Sequence, residues 1–224
     1  GRGHVCAEAL TCKKSGDITH WEAFRRGHVI VQDESSMLTV YALDPQPGER
    51  VLDLCAAPGG KSTHMVQRMQ NQGLVESRDL YDHKLGQIRE NANRLGCTIL
   101  ETKRSDASRA YAEDREAWDR VLLDAPCSGL GIIRNKPDLK LHRKPEDVES
   151  LAALQREMLQ AAAQCVRPGG VLVYSTCTLS PRENEDNVAW FLDQHPEFVP
   201  ERLEGILPAG FPPSQIHPSY TYVL

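Results

Sequence analysis

Apolar positions along this chain fall into short unbroken runs separated by stretches with helical spacing. Val51-Leu52-Asp53-Leu54, Leu74 to Leu80, Cys97 to Thr102, Trp118 to Asp124 and Val171 to Tyr174 read as strands. In WDRVLLD the apolar core is continuous, as expected of a strand buried on both faces. Leu85, Ile88, Ala92 and Leu95 recur at helical spacing and Gly96 ends that helix. Val148, Leu151, Leu154, Met158, Ala161, Ala162 and Cys165 mark a longer one, broken by Pro168-Gly169-Gly170. An earlier helix, capped within Asp33 to Ser36, carries Met37, Leu38 and Tyr41 and follows a short strand, Val29 to Val31. A last helix covers Pro181 to Leu192. Strand then helix, repeated, predicts an α/β fold with a mostly parallel, doubly wound sheet, whose ligand edge is the carboxyl ends of its strands. Residues 1–44 read as an N-terminal arm packing on a main domain, 45–224.

Composition narrows this little. The 224 residues are 40% hydrophobic and 25% charged, ordinary for a globular chain, and no apolar stretch approaches membrane-spanning length. A formal charge of −5 excludes a uniformly basic nucleic-acid binder but not a local basic groove. None of the seven cysteines form a C-x-x-C pair, so no zinc site is expected, and a reduced, cytoplasmic protein is the natural inference. The chain opens on Gly1 without a signal-peptide pattern and reads as a fragment.

The first strand runs into Cys55-Ala56-Ala57-Pro58-Gly59-Gly60-Lys61, followed by a helix start. Glycines at 59 and 60 allow close backbone approach, and the exposed amides of a helix start favour an anion. A P-loop needs G-x-x-x-x-G-K-[ST]; Gly60-Lys61-Ser62 fits its end, but Cys55 stands where the first glycine belongs. The dinucleotide fingerprint G-x-G-x-x-G is absent as well. A nucleoside bearing an amino-acid carboxylate, S-adenosylmethionine, suits the turn better than a polyphosphate. Asp79, about 20 residues beyond the glycines, stands where a ribose-binding acid falls in such folds. Asp106, after the third strand, is placed to accept from an adenine amino group. Arg134, Lys136, Lys140, Arg143 and Lys144 form the most basic stretch, readable as solvated surface or as a phosphate-contacting rim.

Two cysteines, Cys127 in Asp124-Ala125-Pro126-Cys127-Ser128-Gly129 and Cys177 in Ser175-Thr176-Cys177-Thr178, belong to turns at strand ends. They could be buried apolar residues, a redox pair, or include a nucleophile. With S-adenosylmethionine as cofactor the last reading gains chemistry: a thiolate adding to carbon 6 of a pyrimidine makes carbon 5 nucleophilic enough to take a methyl group.

DLCAAPGGK, DAPCSGLG and YSTCTLSPRENE, with VQDESSM upstream, together resemble the RNA cytosine-5 methyltransferases of the NSUN/RsmB group. The resemblance covers about Gly27 to Leu192. It implies a Rossmann-like class I S-adenosylmethionine-dependent methyltransferase fold, with Cys177 as nucleophile and Cys127 assisting product release. It also implies that Cys55 through Lys61, Asp79, Asp106 and Asp124 hold the cofactor and that Asp124 touches the cytosine ring. DNA cytosine methyltransferases keep their nucleophile in a Pro-Cys turn, which would select Cys127; a second cysteine at 177 favours RNA. Ribosomal RNA is the expected partner and tRNA the next, for a monomer needing neither metal nor membrane. A non-catalytic RNA- or cofactor-binding fragment is the alternative, with a P-loop-like NTPase third. The helical RNA-binding domain that precedes this region in the bacterial rRNA members is missing here, and the domain reads as incomplete at its C-terminus.

Overall fold

The computed structural model describes residues 1–12, 16–132, 144–203, 205–208, 216–217 and 220–221. Five parallel strands, β1 (Arg50–Asp53), β2 (Leu74–Asp79), β3 (Leu100–Arg104), β4 (Trp118–Asp124) and β5 (Val166–Ser175), form one sheet in the order β3-β2-β1-β4-β5. The helices are α1 (Glu22–Arg25), α2 (Glu34–Leu43), α3 (Gly60–Arg68), α4 (Asp82–Leu95), α5 (Pro145–Cys165) and α6 (Glu185–Gln194). Ile216–His217 and Tyr220–Thr221 pair antiparallel as β6 and β7.

Alternation along the central strands separates two cores. Leu52, Val121 and Leu123 pack against Met158, Leu159 and Ala162 of α5 and Phe191 of α6. Val51, Val75 and Leu122 face the other way, onto Val40 and Leu43 of α2 and Met65 and Val66 of α3. Val121, Leu122 and Leu123 are all fully buried, so β4 is central and covered on both faces, as its unbroken apolar run predicts. Strand order reverses between β1 and β4, and this switch point opens a crevice at their carboxyl ends. No helix among the described residues is long and apolar enough to cross a membrane.

The polar residues of β2 have a long-range explanation. Arg78 is 1% exposed and its guanidinium donates two bonds to Asp114, at 2.5 and 2.6 Å, and one to Glu76. Trp118 Nε1 also donates to Asp114, at 3.2 Å. Burial alone raises the Asp114 carboxyl; the Arg78 bonds outweigh it and hold the group below its ordinary range. Arg78→Met should therefore cost about 3–5 kcal/mol in urea unfolding, because Asp114 is left buried without its cation. A loss below about 1 kcal/mol would show that Asp114 finds other partners.

Carboxylates fasten the first residues of the chain. Glu34 accepts the backbone N–H of His4, Val5 and Cys6, and Glu8 accepts Tyr41 OH at 2.6 Å and lies 3.0 Å from His64 Nε2 of α3. Four expected elements differ. Val29 to Val31 form no strand; the Val29 carbonyl accepts from Arg94 of α4, not from a ladder, and Val31 is exposed. The third strand is shifted to Leu100–Arg104, and the fifth begins at Val166, running through Pro168-Gly169-Gly170 beside an irregularity in β4 between Trp118 and Arg120. The last helix begins at Glu185, since Glu183 and Asn184 are held by the turns beside them.

Candidate active site

The crevice at the β1/β4 switch point is built from three turns. The first, Cys55 to Lys61, leaves β1 and enters α3. Gly59 has φ +100°, which favours glycine, and its missing Cβ would lie a tight 3.2 Å from the Ile88 backbone of α4. Gly60, by contrast, is the first residue of α3 with ordinary helical φ. A glycine N-cap supplies no side-chain acceptor, so the first amides of α3, at Gly60, Lys61 and Ser62, have neither a cap nor an intrahelical partner. Asp53, beneath this turn, is fully buried; its Oδ2 accepts Ser62 Oγ at 2.6 Å, and burial pushes its carboxyl up to about 7. Cys55 is likewise pushed up by burial, which makes it a neutral wall.

Asp79 and Asp106 follow on the β2 and β3 side, and Ser105 N donates to the Asp79 carbonyl, so the two strand ends are adjacent. Asp79 is 7% exposed, accepts Tyr81 N at 3.2 Å and lies 3.6 Å from Lys84 Nζ. Asp106 Oδ1 accepts both Ser108 N and Ser108 Oγ, which holds its carboxyl below the ordinary range. Its Oδ2 is 3.5 Å from Arg109 Nε.

On the other side, Lys61 of the first turn reaches Asp124 at the end of β4, Nζ to Oδ2, 2.6 Å. Ser175 Oγ, at the end of β5, donates to the other Asp124 oxygen at 2.6 Å. Lys61 thus links the two strand ends that flank the crevice, and both Asp124 oxygens are directed by neighbours. Sequence spacing placed Lys61 in the turn but not against Asp124, because 63 residues separate them.

Cys127 and Cys177 face each other, Sγ to Sγ 3.1 Å, and Cys177 N donates to Cys127 Sγ at 3.2 Å. Cys177 is exposed and Cys127 partly covered. The hydrogen bond from Cys127 brings the Cys177 thiol down to about 7, against burial and the Asp124 charge, with Lys61 assisting. Cys127 moves the opposite way, raised by the same contact and by burial. The contact thus favours the thiolate at Cys177, the more exposed sulfur, over Cys127.

Lys144 is the N-terminal neighbour of α5, and its backbone N–H donates to Asp147. The other members of the basic stretch, Arg134, Lys136, Lys140 and Arg143, lie outside the described residues. Among those described, no group of His, Cys, Asp or Glu is arranged to hold a metal ion.

Comparison with known proteins identifies the family of the chain. The family model for 16S rRNA methyltransferase RsmB/F matches residues 40–209. A Bacillus subtilis protein named probable ribosomal RNA small subunit methyltransferase B is 47% identical over 92% of this chain and 46% of its own length. The structure of NSun6 from Pyrococcus horikoshii with SFG superposes with a TM-score of 0.74 at 37% identity, over 80% of this chain and 46% of that one. A methyltransferase homolog protein from the same organism gives 0.71 at 38% identity, over 80% of this chain and 56% of that one. The chain spans about half the length of the curated relatives it matches. Its sheet is that of the class I S-adenosylmethionine-dependent methyltransferases, and the chain belongs to the RsmB/F methyltransferase family.

Proposed function

We propose that this chain is the catalytic part of an S-adenosylmethionine-dependent RNA methyltransferase that methylates carbon 5 of a cytosine in ribosomal RNA. The observation that carries this reading is the sulfur pair: the exposed Cys177 thiol lies 3.1 Å from Cys127 Sγ, beside an aspartate ion-paired to Lys61. Ribosomal RNA follows from the relatives' names and from the family model.

The crevice suits S-adenosylmethionine. The uncapped α3 start offers amides to an amino-acid carboxylate, and the Asp79 and Asp106 carboxylates stand at the adjoining strand ends. The NSun6 structure was solved with SFG, an analogue of this cofactor. When bound, the cofactor supplies an electrophilic methyl group. The chain's own residues do the rest. Cys177 Sγ, as thiolate, forms a bond to carbon 6 of a flipped or single-stranded cytosine, and the ring electrons move toward carbon 5. Asp124, oriented by Lys61 and Ser175, faces the base from beside the sulfurs. After carbon 5 is methylated it must lose its hydrogen as a proton while the Cys177–carbon 6 bond breaks. Capping of Cys177 removes the thiolate charge that raised Cys127. Cys127 can then give its own proton to solvent and accept the one from carbon 5.

The test is transfer of labelled methyl from S-adenosylmethionine to 16S rRNA and, separately, to tRNA, followed by nucleoside digestion. Label in 5-methylcytidine from the rRNA is the expected product. Label in tRNA alone reassigns the substrate, label in another nucleoside overturns the cytosine-5 chemistry, and no label with intact cofactor binding makes this a binding module.

A further inference from the structure

Glu183 is a carboxylate with no exposure to solvent, buried directly under the cysteine turns. Its Oε2 accepts Ser128 N and Gln155 Nε2, both at 2.9 Å, and its Oε1 accepts Ser128 Oγ at 2.5 Å. Ser128 follows Cys127, so two of the three bonds hold the backbone and side chain immediately after that sulfur. Gln155 Nε2 also donates to the Pro126 carbonyl on the other side of Cys127, at 2.9 Å. The next residue, Asn184, does the same for the second sulfur: its Oδ1 accepts Thr176 Oγ1 at 2.6 Å and its Nδ2 donates to the Thr178 carbonyl at 3.0 Å. Thr176 and Thr178 bracket Cys177. Ser128 Oγ and Thr178 Oγ1, 2.7 Å apart, join the two halves, and Gly131 N donates to the Cys177 carbonyl at 3.0 Å.

A buried polar side chain is costly unless hydrogen-bonded, and here both Glu183 oxygens serve the Cys127 turn, directly through Ser128 and through Gln155, which also holds Pro126. We propose that the dipeptide Glu183-Asn184 is a two-armed positioning element that sets the distance between the two sulfurs, Glu183 holding the Cys127 turn and Asn184 the Cys177 turn. Neither residue touches the reacting atoms; both act through the cysteines. The role in catalysis rests on the function proposed above, but the positioning itself is measurable without it.

The consequence falls on the Cys177 sulfur, which Cys127, Asp124 and Lys61 face. Moving Cys127 away removes the contact that favours the Cys177 thiolate, so a loosened Cys127 turn hinders ionisation of Cys177. The measurement is site-resolved alkylation by iodoacetamide across pH, read by peptide mass spectrometry, with the exposed Cys12 reporting reagent quality. Glu183→Ala is expected to raise the Cys177 midpoint by about one pH unit or more, toward the ordinary thiol value of about 8.5, and to add nothing in a Cys127→Ala background. Glu183→Gln retains an acceptor for Ser128 N and should stay near wild type. If Glu183→Ala fails to fold, Asn184→Ala, at a half-buried position, carries the same test with the same expected rise. An unmoved or lowered midpoint in the folded variant overturns the proposal. The reagent needs neither RNA nor S-adenosylmethionine, so a raised midpoint in a chain that transfers no methyl group leaves the positioning role standing and removes only the methyltransferase reading.

Discussion

Cys177→Ala is expected to abolish methyl transfer, by at least about 10³-fold in kcat/KM, while S-adenosylmethionine affinity stays within about twofold of wild type. The affinity should hold because the residues offered to the cofactor lie in the Cys55–Lys61 turn and at the β2 and β3 ends, whereas Cys177 stands beyond β5. The rate should fall because carbon 5 of cytosine is too weak a nucleophile until a sulfur has added at carbon 6. The same assignment predicts a pH profile. A thiol lowered to about 7 is ionised above that value and protonated below it. Activity limited by this group should therefore be nearly constant from about pH 8 upward and fall about tenfold per unit well below 7. Initial rates in the two proteins, with isothermal titration of cofactor, check both parts. Comparable turnover in Cys177→Ala would refute the covalent mechanism. A wild-type midpoint near 8.5 would instead show that the Cys127 contact does not tune the nucleophile.

Much of this site was legible in the sequence because its parts are local: a strand, a turn and a helix start at Val51 to Met65, and a cysteine two or three residues past the ends of β4 and β5. Parallel-sheet topology brings such ends together without any further signal. What was not legible depends on contacts between distant residues. Arg78 looks misplaced in a strand until Asp114, 36 residues away, is seen beside it. Lys61 reads as part of an anion-binding turn and proves to be ion-paired with Asp124. Glu183 and Asn184 look like ordinary acidic and amide residues opening a helix; α6 starts after them because both side chains are committed to the cysteine turns. An acid beside an amide just before a helix was the only available signal, and a cap is the commoner meaning of that pattern. The Val29 to Val31 run failed as a strand for a related reason, since Arg94 takes a carbonyl that a sheet neighbour would need.

Cys127→Ala is expected to slow the first half of the reaction but block the second, so that a covalent RNA–protein adduct accumulates. The distinction follows from where the proton sits. In the wild-type pair the contact with Cys127 favours the attacking thiolate at Cys177, and later, with Cys177 capped, Cys127 becomes the nearby group able to take the carbon 5 proton. An alanine can do neither. Attack should therefore slow at pH 7, because Cys177 loses its hydrogen-bond donor and returns toward an ordinary thiol, yet recover near pH 8.5, where such a thiol is about half ionised. Release should not recover at any pH, as no second sulfur remains. Incubation of Cys127→Ala with RNA and S-adenosylmethionine at both pH values, resolved on a denaturing gel, should show a slowly migrating band at least about tenfold more intense than in wild type and stronger at pH 8.5. The band should vanish in Cys127→Ala/Cys177→Ala, which identifies Cys177 as the attached residue. Normal turnover without a band would show that another base completes the reaction. A band that persists in the double variant would place the covalent bond on a different residue and remove Cys177 from the mechanism.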